Sequence, residues 1–284
     1  MNQTKTFFLM VFLTIILVAL GSIVGGSSGA YIAFFIALIM NLVSYWFSDK
    51  IVLAMYHAKP VSENEVPHLY NIVYNLSQKA SIPMPKVYII ENDSPNAFAT
   101  GRNPSNGVVA VTTGILRILS KDELEGVIAH EISHIKHRDI LIQTVAATLA
   151  GAITMIANWA RFAAFFSGGR SDDDDGGGNI LSVIIFSIFA AFAAMLIQLA
   201  ISRSREYLAD EGGARLSGNP LHLSGALKKL SAGIALNPMN DANPSTAPLF
   251  IANPFSAKGV LTLFSTHPPM EERIKRLEDM AYRR

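Results

Sequence analysis

One short run in this chain has the residue types and the spacing for metal-assisted hydrolysis: His130-Glu131-Ile132-Ser133-His134. On a helix, residues four apart share a face, so two imidazoles can converge on one ion. Glu131 is turned by about 100° from His130, which sets its carboxylate beside the ion rather than on it. Amide hydrolysis needs that arrangement. Zinc lowers the pKa of its water toward neutrality, and a neighbouring carboxylate takes the proton as the carbonyl is attacked. The chain has no cysteine. Disulfides, thiolate metal sites and cysteine nucleophiles are thereby excluded, and His, Asp and Glu remain as ligands.

A catalytic zinc takes three protein ligands and leaves one position open. The strongest third candidate is Glu206, within Ser202-Arg-Ser-Arg-Glu206-Tyr-Leu-Ala-Asp210. Asp210 lies one turn further on the same face, where it can accept the free N–H of a ligating histidine. A surface ion pair with Arg203 or Arg205 is the plainer role for Glu206. His137 competes as a ligand at i+7 from His130. Three successive turns of one straight helix do not easily surround an ion, however, and with Lys136 and Arg138 it reads as a basic collar before a hydrophobic span.

The elements that must position these groups are marked in the sequence. Ser120 followed by Glu123 is a capping box, which starts a helix running to about His137. Residues 62–80 are polar with helical apolar spacing at Val66, Leu69, Ile72, Val73 and Leu76. Residues 86–91, 96–100 and 108–112 read as strands, with a turn over 101–107. Pro268-Pro269 starts a helix over 270–281. Residues 244–255 carry three prolines and read as an irregular loop.

Around this polar framework lies membrane-like sequence. Of 284 residues 50% are hydrophobic and only 16% charged, against about 25% charged in soluble domains. No Asp, Glu, Lys or Arg occurs between Thr6 and Ser48, between Ile140 and Ala160, or between Gly176 and Ser202. Such runs are long enough to cross about 30 Å of hydrocarbon. The predicted spans are 7–24 and 30–48, a hairpin broken at Gly25-Gly26-Ser27-Ser28-Gly29, then 140–160 and 180–201. An acidic glycine-rich linker separates the second pair. The expected organisation is therefore a transmembrane hairpin (1–48), a first part of a catalytic domain (49–139), a second hairpin (140–201) and a second catalytic part (202–284). With four spans, nearly all Lys and Arg fall on one side, which the positive-inside rule assigns to the cytoplasm. A formal charge of +1 and the lack of any basic cluster with interleaved aromatics exclude a broadly basic nucleic-acid binder.

The set His130-Glu-x-x-His134, Ser202-Arg-x-x-Glu206-Tyr-x-Ala-Asp210 and Ser265-Thr-His267-Pro-Pro-x-Glu-Glu-Arg273-Ile resembles the HtpX-type membrane zinc metalloproteases, relatives of the prenylated-protein (CaaX) protease. The run Pro95-Asn96-Ala-Phe-Ala-Thr-Gly101 is also similar to a stretch of that family. The resemblance implies one zinc per chain held by His130, His134 and Glu206, Glu131 as general base and a glutamate-ligand zincin fold. It also implies a part in membrane-protein quality control. Beside it, the residues themselves suggest further roles. Residues 108–112, with Val109 and Val111, are expected to form the sheet edge that holds an extended substrate. Asn96 is expected to supply amide contacts to that substrate, or else to cap a turn. An oxyanion needs a donor besides the metal; His267 and Arg203 are the candidates, although a helix-starting turn would also explain His267.

The expected molecule is an α-helical membrane protein with a cytoplasmic α+β zincin-like metalloprotease domain. Its expected partners are the lipid bilayer and membrane or unfolded polypeptides. A zinc-dependent scaffold without proteolysis and a protease for prenylated peptides are the rivals. Only about five residues separate His134 from the third span, so the site is expected close to the membrane surface.

Overall fold

The structure, a computed structural model, describes residues 2–167, 203–239, 242–255 and 268–282. Helix α1 (Asn2–Met55) loses its helical dihedral angles at Gly25 and Gly26, the latter at φ 59° and ψ −145°. The chain reverses there. The Asn41 amide donates to the Met10 carbonyl (3.3 Å) and the Thr14 hydroxyl (2.9 Å) across the two arms. The arms approach so closely that a Cβ on Gly21 would sit 2.5 Å from the Gly29 carbonyl oxygen. Phe7, Phe8, Tyr31, Ile32 and Phe35 point outward and are exposed, as befits a surface solvated by lipid rather than water. The arm from Gly25 to Met55 is long and apolar enough to cross a membrane; 4–19 and 139–155 are shorter apolar helical stretches. The predicted span 180–201 and most of the acidic linker lie outside the described residues.

Helix α5 (Asp139–Ser167) carries the third apolar segment. Its Leu141, Val145 and Leu149 bury themselves against Leu9, Leu13 and Leu17 of α1. A hydrogen bond between the Thr144 and Thr100 hydroxyls (3.0 Å) ties it to the sheet.

That sheet has four strands: β1 (Lys59–Pro60), β2 (Lys86–Ile90), β3 (Ala97–Thr100) and β4 (Val108–Thr112), in the order β1-β2-β4-β3. β4 pairs in parallel with β2 on one side and antiparallel with β3 on the other. The expectation that 108–112 forms a substrate-holding edge is therefore corrected. Both sides of β4 are occupied, and Val109 and Val111 are wholly buried. An apolar run without alternation marks a strand covered on both faces. The strands at the ends of the sheet are β1 and β3, and β3 is the one beside β4.

Helix α2 (Pro67–Ala80) and helix α4 (Lys121–His137) share a core in which Leu69, Ile72 and Leu76 meet Val127, Ile128 and Ile132. The short α3 (Thr113–Ile118) leads from β4 to α4. The capping box at α4 is complete: Glu123 N–H donates to Ser120 Oγ (3.3 Å) and Ser120 N–H to the Glu123 carboxylate (2.7 Å). Replacing Ser120 with Ala should cost about 1 kcal/mol of stability, measured by denaturant unfolding in detergent. Burial works against ionised Glu123, but Lys229 and Ser120 outweigh it and hold its carboxyl below the usual value. The folded state thus favours the anion. Its contribution is fully present above the ordinary carboxylate pKa and is lost as pH falls through the lowered one.

Helices α6 (Arg203–Ser217) and α7 (Pro220–Leu236) close over α4, and α8 (Met270–Tyr282) packs on those two. Glycines permit this. A Cβ on Gly126 would lie 2.6 Å from the Leu223 nitrogen, and one on Gly213 would lie 2.8 Å from the His130 nitrogen.

Candidate metal centre

Because α4 runs straight through the motif, His130 and His134 stack on one face with their Nε2 atoms 3.2 Å apart. Glu206 enters from α6, its Oε1 3.5 Å from His134 Nε2 and its Oε2 3.8 Å from His130 Nε2. Tetrahedral zinc with ligand bonds of about 2.0–2.1 Å places its donors about 3.3 Å apart. The donor set fits that ion in type, in spacing and in burial, all three side chains being enclosed. Two ring nitrogens facing each other and a buried carboxylate make a pocket of converging donors that suits a cation.

The far nitrogens of both rings face carboxylates. His130 Nδ1 lies 2.9 Å from Asp210 Oδ1, and His134 Nδ1 lies 3.3 Å from Asp139 Oδ2. With Nδ1 of His134 hydrogen-bonded to Asp139 and Nδ1 of His130 set beside the Asp210 carboxylate, the two Nε2 lone pairs are left for a metal. Sequence reasoning found Asp210 and missed Asp139. Arg138 adopts the left-handed conformation (φ 59°) that ends α4, and this turn brings Asp139 beneath His134. An acid one turn past the second histidine, at the start of an apolar run, was the available signal.

Ionisation in the metal-free site follows from this crowding. Burial, aided by the nearby His134 and Arg273 charges, depresses His130 to about 4 despite Asp210. Burial would also depress His134, but Asp139, Glu206 and Glu131 together lift it to about 9. Burial raises Glu131 to about 7, with Glu206 adding to the rise; His134, the Ala99 backbone N–H and Arg273 oppose it. Burial works against ionised Asp210 too, but the Arg273 guanidinium and His130 hold its carboxyl below the usual range.

Glu131 sits between the ligand cluster and β3, where it accepts the N–H of Ala99. His137 is exposed, with Nδ1 3.3 Å from Ser133 Oγ, and lies outside the cluster. Arg203, expected as an oxyanion donor, is exposed on the first turn of α6. Arg205, two residues on, is half-buried and feels the charges of Asp139 and Glu206. His267 lies outside the described residues. Asn96 is buried at the start of β3, and its Nδ2 donates to the Ala252 carbonyl (2.8 Å). Arg273, matched in the sequence but given no role there, is fully buried and grips Asp210 with Nε (2.9 Å) and Nη2 (2.7 Å).

The close passage of α6 makes a test of the geometry. In Gly213→Ala the new methyl would collide with His130 backbone. The expected cost is near the upper end of about 1–3 kcal/mol, more than the roughly 1 kcal/mol that alanine gains in a helix. Glu206 would be pushed from the histidines, so zinc content should fall along with the unfolding midpoint.

Comparison with known proteins agrees with this centre. The profile of peptidase family M48 matches residues 63–281. A protein described as a protease HtpX homolog from Thermodesulfovibrio yellowstonii is 61% identical over 283 residues, covering 100% of both chains. Proteins with the same description from Syntrophobacter fumaroxidans and Pyrococcus furiosus are each 57% identical, over 98% of this chain and 99% and 95% of theirs. Among solved structures, Ste24p of S. mikatae superposes with a TM-score of 0.51 at 20% identity. That match covers 87% of this chain and 58% of the other, and it shows a shared fold.

Proposed function

This chain belongs to peptidase family M48, and from that footing we propose that it is a membrane-bound zinc endopeptidase. Its substrates are extended segments of membrane or unfolded proteins, and its service is membrane-protein quality control. One observation carries the chemistry: Glu131 stands between the His130–His134–Glu206 cluster and the main chain of β3.

His130, His134 and Glu206 would hold the zinc. When bound, the metal supplies a Lewis acid for the scissile carbonyl and lowers the pKa of the attacking water. Glu131 is placed to take that water's proton and to pass it to the departing amine. Its two positions of contact, one toward the cluster and one on Ala99 N–H, keep the carboxylate aimed. Asp210 and Asp139 hold the imidazoles in the tautomer that faces the metal. Burial of the whole set excludes bulk water and strengthens each of these interactions.

The exposed apolar surface of α1 and its burial of α5 support a site close to the bilayer. The distribution of Lys and Arg supports a cytoplasmic face for the catalytic residues. Reconstitution in vesicles tests the substrate class. The same cleavable sequence is presented on a membrane-anchored and on a soluble protein, and the anchored form should be cut at least about tenfold faster through its raised local concentration. Equal rates would contradict a membrane-directed protease.

A further inference from the structure

Residues 249–252 leave a 3-10 turn (Ala247–Leu249) beside β3, which they meet at a single bridge, and the main chain of the last two is held on both sides. Ile251 N–H donates to the Ala97 carbonyl (2.9 Å), while the Ile251 carbonyl accepts from Arg273 Nη1 (2.8 Å). Asn96 Nδ2 donates to the Ala252 carbonyl (2.8 Å), and Ala252 N–H approaches Asn96 Oδ1 at 3.4 Å. Phe250 forms an antiparallel bridge with Phe98. Every one of these polar contacts is to backbone atoms, so the seat reads an extended chain without reading its side chains, as strand addition does.

The seat is part of the catalytic apparatus by position. Ala99, two residues along β3, donates to Glu131. Arg273 holds Asp210 in the same grip with which it holds Ile251. Asn96 and Arg273 are wholly buried, and buried polar groups of this kind demand partners at all times. Residues 249–252 provide them.

We propose that residues 249–252 are an internal occupant of the substrate seat, and that an extended substrate takes over Ala97, Asn96 and Arg273 by displacing them. This inference rests on the peptidase reading above. The resting enzyme is then closed at β3. Its latch is Phe250, wholly buried with ring centroids 5.1 Å from Tyr56 and 5.2 Å from Phe98, both edge-on. A hydrogen bond between the Tyr56 and Thr246 hydroxyls (2.5 Å) holds the approach to the strap against the end of α1. Release must therefore unseat an aromatic side chain from the core, and substrates that cannot drive this are refused.

The test uses the full-length zinc-loaded protein in detergent. Amide hydrogen exchange is followed in Glu131→Gln with and without an extended peptide that wild type cleaves. Peptide binding should speed exchange at Ile251 and Ala252 at least tenfold, as their partners pass to the peptide. In parallel, Phe250→Ala in an otherwise wild-type chain should lower KM for that peptide about tenfold, because the open form is more populated. Unchanged exchange at 249–252 with peptide bound would overturn the proposal, and so would a folded Phe250→Ala enzyme whose KM is unchanged or raised. Should Phe250→Ala fail to fold, the exchange experiment alone decides. A wild-type protein that bound no zinc and cut no peptide would overturn the peptidase reading itself, and this inference with it.

Discussion

Glu131→Gln is expected to keep zinc and lose cleavage. The side chain is not among the three donors that converge on one point, so metal content should stay near that of wild type. Glutamine retains the shape and can still accept the Ala99 N–H. It cannot take a proton. General acid–base groups contribute about 10²–10⁴-fold, so cleavage of an unfolded model protein should fall by that factor. The same variant separates enzyme from scaffold. A scaffold with a structural zinc has no use for a base beside its histidines, and its biological activity would survive the substitution. Retention of more than about a tenth of the wild-type rate would remove Glu131 from the role of base.

The second large effect is expected at Glu206. Glu206→Ala removes the donor that α6 brings to the two histidines of α4. Loss of a carboxylate that only orients a ligand costs about 10–100-fold in metal affinity. Loss of a ligand should therefore cost more than about 100-fold, and the protein should purify without zinc. Asp210→Asn is the control for that comparison. It keeps all three ligands and disturbs only the partner of His130 Nδ1, so its affinity should fall within the smaller range. A Glu206→Ala protein with undiminished zinc would mean that the ion is held elsewhere.

The centre was largely legible in the sequence, because its geometry is local. His130, Glu131 and His134 owe their relation to the period of one helix, and Ser120 with Glu123 announced where that helix begins. Glu206 and Asp210 repeat the same one-turn spacing on α6. What the sequence concealed depends on tertiary contacts. Nothing local says that β3 rather than β4 ends the sheet, although the unbroken Val108-Val109-Ala110-Val111 run pointed to burial on both faces. Arg203 and Arg205 look equivalent as text. Only packing leaves the first in solvent and draws the second toward Asp139 and Glu206. Asp139 required the left-handed turn at Arg138 to reach His134. Asn96 was expected to contact a substrate's main chain or to cap a turn; in the structure its amide donates to the carbonyl of the chain's own Ala252, a partner 156 residues away that no local pattern announces.

The glycines near the site share one logic. Gly126 and Gly213 allow α7 and α6 to touch the backbone of α4. Helix α4 is thus fixed by contacts that tolerate no side chain, while its two histidines are flanked by buried carboxylates. Stability and chemistry are joined at Arg273, whose guanidinium reaches from the C-terminal helix to Asp210 and to Ile251.

The central claim is a hydrolytic zinc held by His130, His134 and Glu206. It is tested most directly by measuring zinc per chain and cleavage of an unfolded protein in one preparation, before chelation, after it, and after zinc is restored. The account predicts one zinc per chain, activity that vanishes as the metal is removed, and recovery when one equivalent returns. Cleavage that persists in zinc-free protein, or a fully active preparation that never contained zinc, would contradict it.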